Sequence, residues 1–187
     1  RQVDYPPDAE TAFVDPAGLH LIRTWGPSVA DGAAGAIYRW LGIAGHGSFP
    51  EPVKAAITSP LKAKFHSYGS EYNNEQKKQC IHVVGPDFRM RPYMRAEAVA
   101  ELASAYQGVF REFVKEAETS GLRRLRLLPV SGGIFSGPFS TVFPDLTAEA
   151  LQRGFQALYV EEQHRLIAAD IELCIFKTDQ FQAFHLP

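Results

Sequence analysis

An alternation of strand-like and helix-like runs predicts an α/β fold, a three-layer α/β/α sandwich whose strand-end loops gather at one edge and line a crevice. Three observations carry that expectation. From Pro92 to Ser120 the apolar residues Val99, Leu102, Ala103, Tyr106, Val109, Phe110, Phe113, Val114 and Ala117 keep three-and-four spacing, and Gly121 follows as a stop. Short apolar runs of strand length flank this helix, Gln79 to Val84 before it and Leu125 to Val130 after it. The second run empties into Ser131-Gly132-Gly133-Ile134-Phe135-Ser136-Gly137-Pro138, where adjacent glycines let backbone amides turn toward an anion. A glycine pair by itself is equally a change of direction, so this loop gains meaning only from its neighbours.

The 187 residues, 45% hydrophobic and 21% charged, suffice for one core, placed at residues 9–187 behind an extended arm at residues 1–8. A formal net charge of −2 gives no global reason to bind nucleic acid or an anionic membrane, so an anionic ligand needs a local site. Cys80 and Cys174 each sit in an apolar run and read as small core residues of a reducing compartment, a lone strand-to-strand disulfide being the alternative. No apolar run is long enough to span a bilayer and no signal peptide opens the chain. A cytoplasmic or nuclear location is the expectation. A start at Arg1 rather than Met suggests a piece of a longer protein.

In chain order, Thr11 to Val14 and Leu19 to Ile22 are strand candidates split by Asp15-Pro16-Ala17-Gly18. Trp25 to Gly32 is loop by composition, and Ala33 to Leu41 a short buried helix, so strand, loop and helix start follow one another. That order points helix-start amides at any anion in the loop. Gly42 to Phe49 reads as a glycine-rich mobile loop, Pro52 to Ile57 as a second short helix, and Ser67 to Lys78 as a solvated connection. Leu151, Phe155, Leu158 and Tyr159 mark a further amphipathic helix ending before Ala169, Ile171 to Phe176 a last strand, and Phe181 to Phe184 a closing segment.

Several chemistries find no support. The six histidines are scattered without zinc-type spacing, so no metal is expected, and His82, inside an apolar strand, reads as a hydrogen-bonded core residue. The phosphate-loop, dinucleotide and nucleophile-elbow patterns are missing. Ser131 is expected to offer a hydroxyl to phosphate rather than to act as a nucleophile. Asp31, before Gly32, reads as a helix cap that also reaches a ribose or a phosphate-linked group.

Taken together, these segments resemble the macro domain family from about Ala9 to the C-terminus, with some likeness to macro domains of viral polyproteins. Ser28-Val29-Ala30-Asp31-Gly32-Ala33-Ala34-Gly35-Ala36-Ile37 is similar to the family's first ligand loop and helix. Gln79 to Phe88 is similar to its strand ending in Ile-His-x-Val-Gly-Pro, and Leu128 to Gly137 to its second loop. The resemblance implies a central mixed sheet, and ADP-ribose or ADP-ribosylated protein as ligand and partner, without a further cofactor. It places the diphosphate between amides of Gly32, Ala33, Gly132, Gly133, Ile134 and Phe135. It also implies an acidic residue near the first strand that receives the adenine amino group. Ungapped matching puts Glu10 there, with Asp8 and Asp15 a small shift away. A residue just after the last strand covers the adenine face, which points to Phe176.

The same matching sets Leu21-Ile22-Arg23-Thr24 against the Asn-Ala-Ala-Asn of members that hydrolyse ADP-ribosyl links, and Ala34 against an acidic residue of some hydrolases. Thr24 cannot supply an amide's paired donor and acceptor. Binding with weak or absent hydrolysis is therefore the leading expectation, with Asp31 and Thr24 as the candidate catalytic residues. An active mono-ADP-ribosyl hydrolase and a degenerate fold serving protein or RNA interaction are the alternatives.

Overall fold

The computed structural model describes residues 7–175 and 184. The chain lays down β1 (Thr11–Pro16), α1 (Gly32–Leu41), α2 (Glu51–Ala56), β2 (Ala63–Tyr68), β3 (Lys78–Val83), α3 (Arg95–Ser120), β4 (Arg124–Leu127), α4 (Phe143–Gln156), α5 (Val160–Ile167) and β5 (Asp170–Leu173). The strands form one five-stranded sheet in the order β2-β3-β1-β4-β5. β1 runs parallel to β3 and β4, β4 parallel to β5, and β2 antiparallel to β3, so the sheet is mixed.

Two apolar clusters cover the two faces of this sheet. Ala12, Val14, Ile81 and Leu125 pack under α3, α4 and α5, while Cys80 and Val84 pack with Ile37, Tyr38 and Leu41 of α1 and Val53 of α2. The spacing read from the sequence explains α3: its buried residues include Val99, Leu102, Tyr106, Val109, Phe110 and Phe113, and Gly121 ends it in the left-handed conformation with its N–H on Ala117 O. Each large apolar side chain buried this way contributes roughly 1.5–3 kcal/mol. Cys80 and Cys174 are free, and β1 and β4 separate the strands that carry or precede them.

Four expectations need correction. Leu19 to Ile22 is not a second strand: Ile22 N–H bonds Gly18 O and Gly26 N–H reaches Leu21 O at 2.9 Å, closing a π-helical turn over Leu21–Trp25. Its apolar residues are satisfied by burying Ile22 against α1 and α2 rather than by strand pairing. The stretch Ser67 to Lys78 is only partly solvated, because it opens with the fully buried Tyr68 at the end of β2 and holds the buried Asn74, whose Nδ2 donates to Leu41 O and Tyr68 O. The Gly42 to Phe49 loop is anchored at both ends, by Ile43 and Phe49 in the core. The helix expected through Tyr159 is two helices, broken where Tyr159 N–H donates to Glu162 Oε2 and starts α5 afresh. Phe176 and nearly all of the closing segment lie outside the described residues.

Candidate ligand site

From the carboxyl end of β1 the chain passes through α1 and α2 to β2 and β3, on one side of the sheet order. From the carboxyl end of the adjacent β4 it passes through α4 and α5 to β5, on the other side. The two loops therefore part toward opposite faces, and a crevice opens between them at the point where strand order reverses. It is the sheet topology, before any side chain, that selects the loops at residues 17–31 and 128–142.

The first loop ends at Asp31, whose Oδ1 accepts the Gly32 N–H at 2.7 Å and caps α1. Gly32 has a φ of 59°, a left-handed value at which a side chain is strained, and nothing lies within 4 Å of where its Cβ would stand. Gly32 and Ala33 thus open α1 with backbone amides at its positive end. Asp31 and Gly32 are exposed.

The second loop is pinned both by its own residues and by the segment that follows β3. Ser131, at a φ of 62°, is buried, and its Oγ donates to Pro86 O at 2.7 Å. Gly132 N–H bonds Pro129 O at 3.1 Å, and a Cβ on Gly132 would lie 2.8 Å from Pro129 Cβ. The hydroxyl and the amide assigned to phosphate at these two positions are thus spent on holding the loop's shape. Gly133, by contrast, is exposed with open space at its Cβ, and it leads into the helical turn Ile134–Phe139. Gly133, Ile134 and Phe135 are the amide-bearing residues of this loop that stand at the start of a turn, where the first N–H groups have no partner inside it. Phe135 O accepts from Phe88 N–H at 3.0 Å, and Arg89 stacks its guanidinium 4.9 Å from the Phe135 ring.

The acidic candidates Glu10, Asp8 and Asp15 and the candidate Thr24 stand at separate places, before, within and after β1. Glu10 precedes β1 at the amino edge of the sheet, opposite the crevice, with its carboxylate 3.9 Å from Arg123 Nε. Asp8 lies at the same edge, accepting from Thr11 Oγ1 and facing Arg124. Asp15 is at the carboxyl end of β1 but is fully buried. Tyr38 donates to its Oδ2 at 2.8 Å, and His82 Nδ1 meets the same oxygen at 2.7 Å. His82 Nε2 pairs with Tyr68 Oη at 2.7 Å. Burial, and then the Asp15 charge, push the Tyr38 phenol well above its ordinary range, and burial raises Tyr68 likewise, so both hydroxyls keep their protons. This network ties α1, β1, β2 and β3 together behind the first loop; it is structural.

Thr24 is exposed in the π-helical turn, eight residues past β1. The residue that leaves the strand beside the second loop is Gly18: a Cβ there would lie 3.2 Å from Phe135 Cζ. The sequence carried a signal for this, the Asp15-Pro16-Ala17-Gly18 turn directly after the strand. Phe176 falls outside the described residues, and among those described no three His, Cys, Asp or Glu gather as a metal site.

No protein-family model and no curated protein matches the sequence. Solved structures do. The fold is similar to an Oceanobacillus iheyensis macrodomain with ADP, at a TM-score of 0.58 and 16% identity over 95% of this chain and 82% of that one. It is also similar to a Trypanosoma brucei macrodomain in complex with ADP-ribose, at 0.53 and 17% over 92% and 61%. An alphavirus P23pro-zbd chain aligns at 0.55 and 21% over 94% of this chain, which spans only 21% of its length. The chain has the macrodomain fold.

Proposed function

We propose that this protein binds ADP-ribose, free or attached to protein, across the crevice between the loops after β1 and β4. One observation carries the reading. The capped start of α1 at Asp31-Gly32-Ala33 and the Gly133-Ile134-Phe135 turn leave adjacent parallel strands toward opposite faces, which sets two groups of backbone amides about one crevice. A diphosphate is the anion whose length and charge suit two such groups. The similar macrodomain structures with ADP and ADP-ribose support the same ligand.

Hydrolysis is proposed to be weak or absent. At Gly18 there is no side chain beside the Phe135 ring, and Thr24 stands away on the next turn, so neither offers the carboxamide that would hold a ribose. Calorimetry with ADP-ribose tests the binding. The wild type is expected to bind and Gly133→Glu, with open space at that position, to lose binding at an unchanged Tm, because its carboxylate opposes the diphosphate. Wild-type affinity in that variant would remove the second loop from the site. Release of ADP-ribose from a modified protein measures the hydrolysis.

A further inference from the structure

The Phe135 side chain comes from the loop after β4 but reaches the segments that follow β1 and β3. A Cβ on Gly18, just past β1, would lie 3.2 Å from Phe135 Cζ, and the guanidinium carbon of Arg89, past β3, stands 4.9 Å from the centroid of the ring. These three strands are parallel, so all three segments leave the same edge of the sheet. One half-buried ring therefore joins them beside the turn that starts at Gly133.

Arg89 is itself held. Its Nε donates to Asp87 Oδ1 at 2.8 Å and its Nη2 to Asp87 Oδ2 at 2.7 Å, a two-pronged pair, and Asp87 Oδ1 also accepts the Arg89 N–H at 3.1 Å. The hydrogen bonds from Arg89 draw the Asp87 carboxyl below its usual range, so the fork is charged at neutral pH. Between the two, Phe88 is 1% exposed and packs edge-on to Phe139 at 5.2 Å, which roots the segment in the core. Its N–H donates to Phe135 O at 3.0 Å, and Gly137 lies so near that a Cβ would stand 3.0 Å from the Phe88 carbonyl. Phe135 is thus gripped at its carbonyl and at its ring, while Gly133 and Ile134 before it are exposed. A turn that opens on an exposed glycine has wide backbone freedom, and the grip on Phe135 is what restricts it. A partly exposed ion pair adds little to stability, so the fork's effect falls on the turn it steadies.

We propose that Asp87 and Arg89 are positioning residues of the ligand site: their fork steadies the Phe135 ring, and through it the Gly133-Ile134-Phe135 amides, without touching the ligand. This rests on the ADP-ribose reading above. The test is calorimetry with ADP-ribose on wild type, Arg89→Ala, Asp87→Asn, and Phe135→Leu with and without Arg89→Ala, with Tm measured on each. Phe135→Leu keeps the backbone amides and removes the ring. Arg89→Ala should weaken ADP-ribose about fivefold while lowering Tm by no more than about 2 °C. Asp87→Asn should weaken it about two- to threefold, because Arg89 remains but is no longer held. On Phe135→Leu the Arg89→Ala change should add less than about 1.5-fold, since the ring that carries its effect is gone. Asp87→Asn that binds as tightly as wild type, or more tightly, would mean that Arg89 acts on the ligand by its own charge, and would overturn the positioning role. A fivefold loss that persists in full on Phe135→Leu would overturn it too. Wild type that does not bind ADP-ribose would sink the ADP-ribose reading and this role with it. Wild type that binds, with Arg89→Ala equally tight, would sink this role alone.

Discussion

The loops that leave β1 and β4 start from neighbouring parallel strands, yet they are held by different means. The second loop is held partly by itself, Gly132 N–H on Pro129 O and the turn Ile134–Phe139 that follows, and partly by the segment after β3, where Pro86 O accepts from Ser131 Oγ and Phe88 N–H donates to Phe135 O. The first is longer and takes its shape from elsewhere, from the buried Asp15, His82 and Tyr38 behind it and from α2 and residues 46–48 beside it. The bonds that the second loop makes within itself, Gly132 N–H to Pro129 O and Ser136 N–H to Gly133 O, span a few positions and can be recognised from a short motif. Bonds to distant residues cannot, because those residues are tens of positions away.

The largest test of that contrast is Asp15→Ala, which strips the acceptor from Tyr38 and His82 at the root of the first loop. It is expected to cost about 2–6 kcal/mol, read by urea unfolding, since the buried Tyr38 hydroxyl and a buried His82 ring nitrogen each lose a hydrogen-bond partner, at about 1–3 kcal/mol apiece. A loss below about 1 kcal/mol would mean that the network does not hold the loop. Gly132→Val comes next: the added side chain meets Pro129 Cβ at 2.8 Å and Phe143 Cε1 at 3.3 Å, an overpacking expected to cost about 1–3 kcal/mol. Set beside Gly133→Glu, which should leave the fold alone, it separates the glycine that shapes the second loop from the one that faces the ligand. Equal melting temperatures for the two variants would erase that distinction.

Asp31→Ala removes the cap of α1 and should lower stability by about 0.5–2 kcal/mol. ADP-ribose affinity measured on the same variant should fall as well; an unchanged affinity would make Asp31 a cap and nothing more. The smallest effect is expected of Thr24→Asn, an exposed position, at no more than about 0.5 kcal/mol in stability and no change in affinity or ADP-ribose release. A gain in release would show that this turn reaches the ribose, and would restore the role that ungapped matching gave it.

Much of the molecule was legible in one dimension because its causes are local. Helical periodicity over Val99 to Ala117 and the stop at Gly121 set α3, the apolar runs around His82 and Leu125 set two central strands, and Asp31 before Gly32 announced the start of α1. The residue types of both loops and the burial of His82 belong to the same class, since each depends on neighbours a few positions away. Tertiary structure alone decided which acid meets which partner. Glu10 and Asp15 are both acids near the first strand, and only the direction of β1 through the sheet sends one to the amino edge and the other into the core beside Tyr38 and His82. It also decided that Leu19 to Ile22 turns rather than pairs, that Ser131 bonds Pro86 O from the segment after β3, and that Gly132 bonds Pro129 O of its own loop. A hydrogen-bonding group in a sequence has many possible partners; packing decides which of them comes within reach, and a partner 67 residues away, as His82 is from Asp15, leaves no mark on the local pattern.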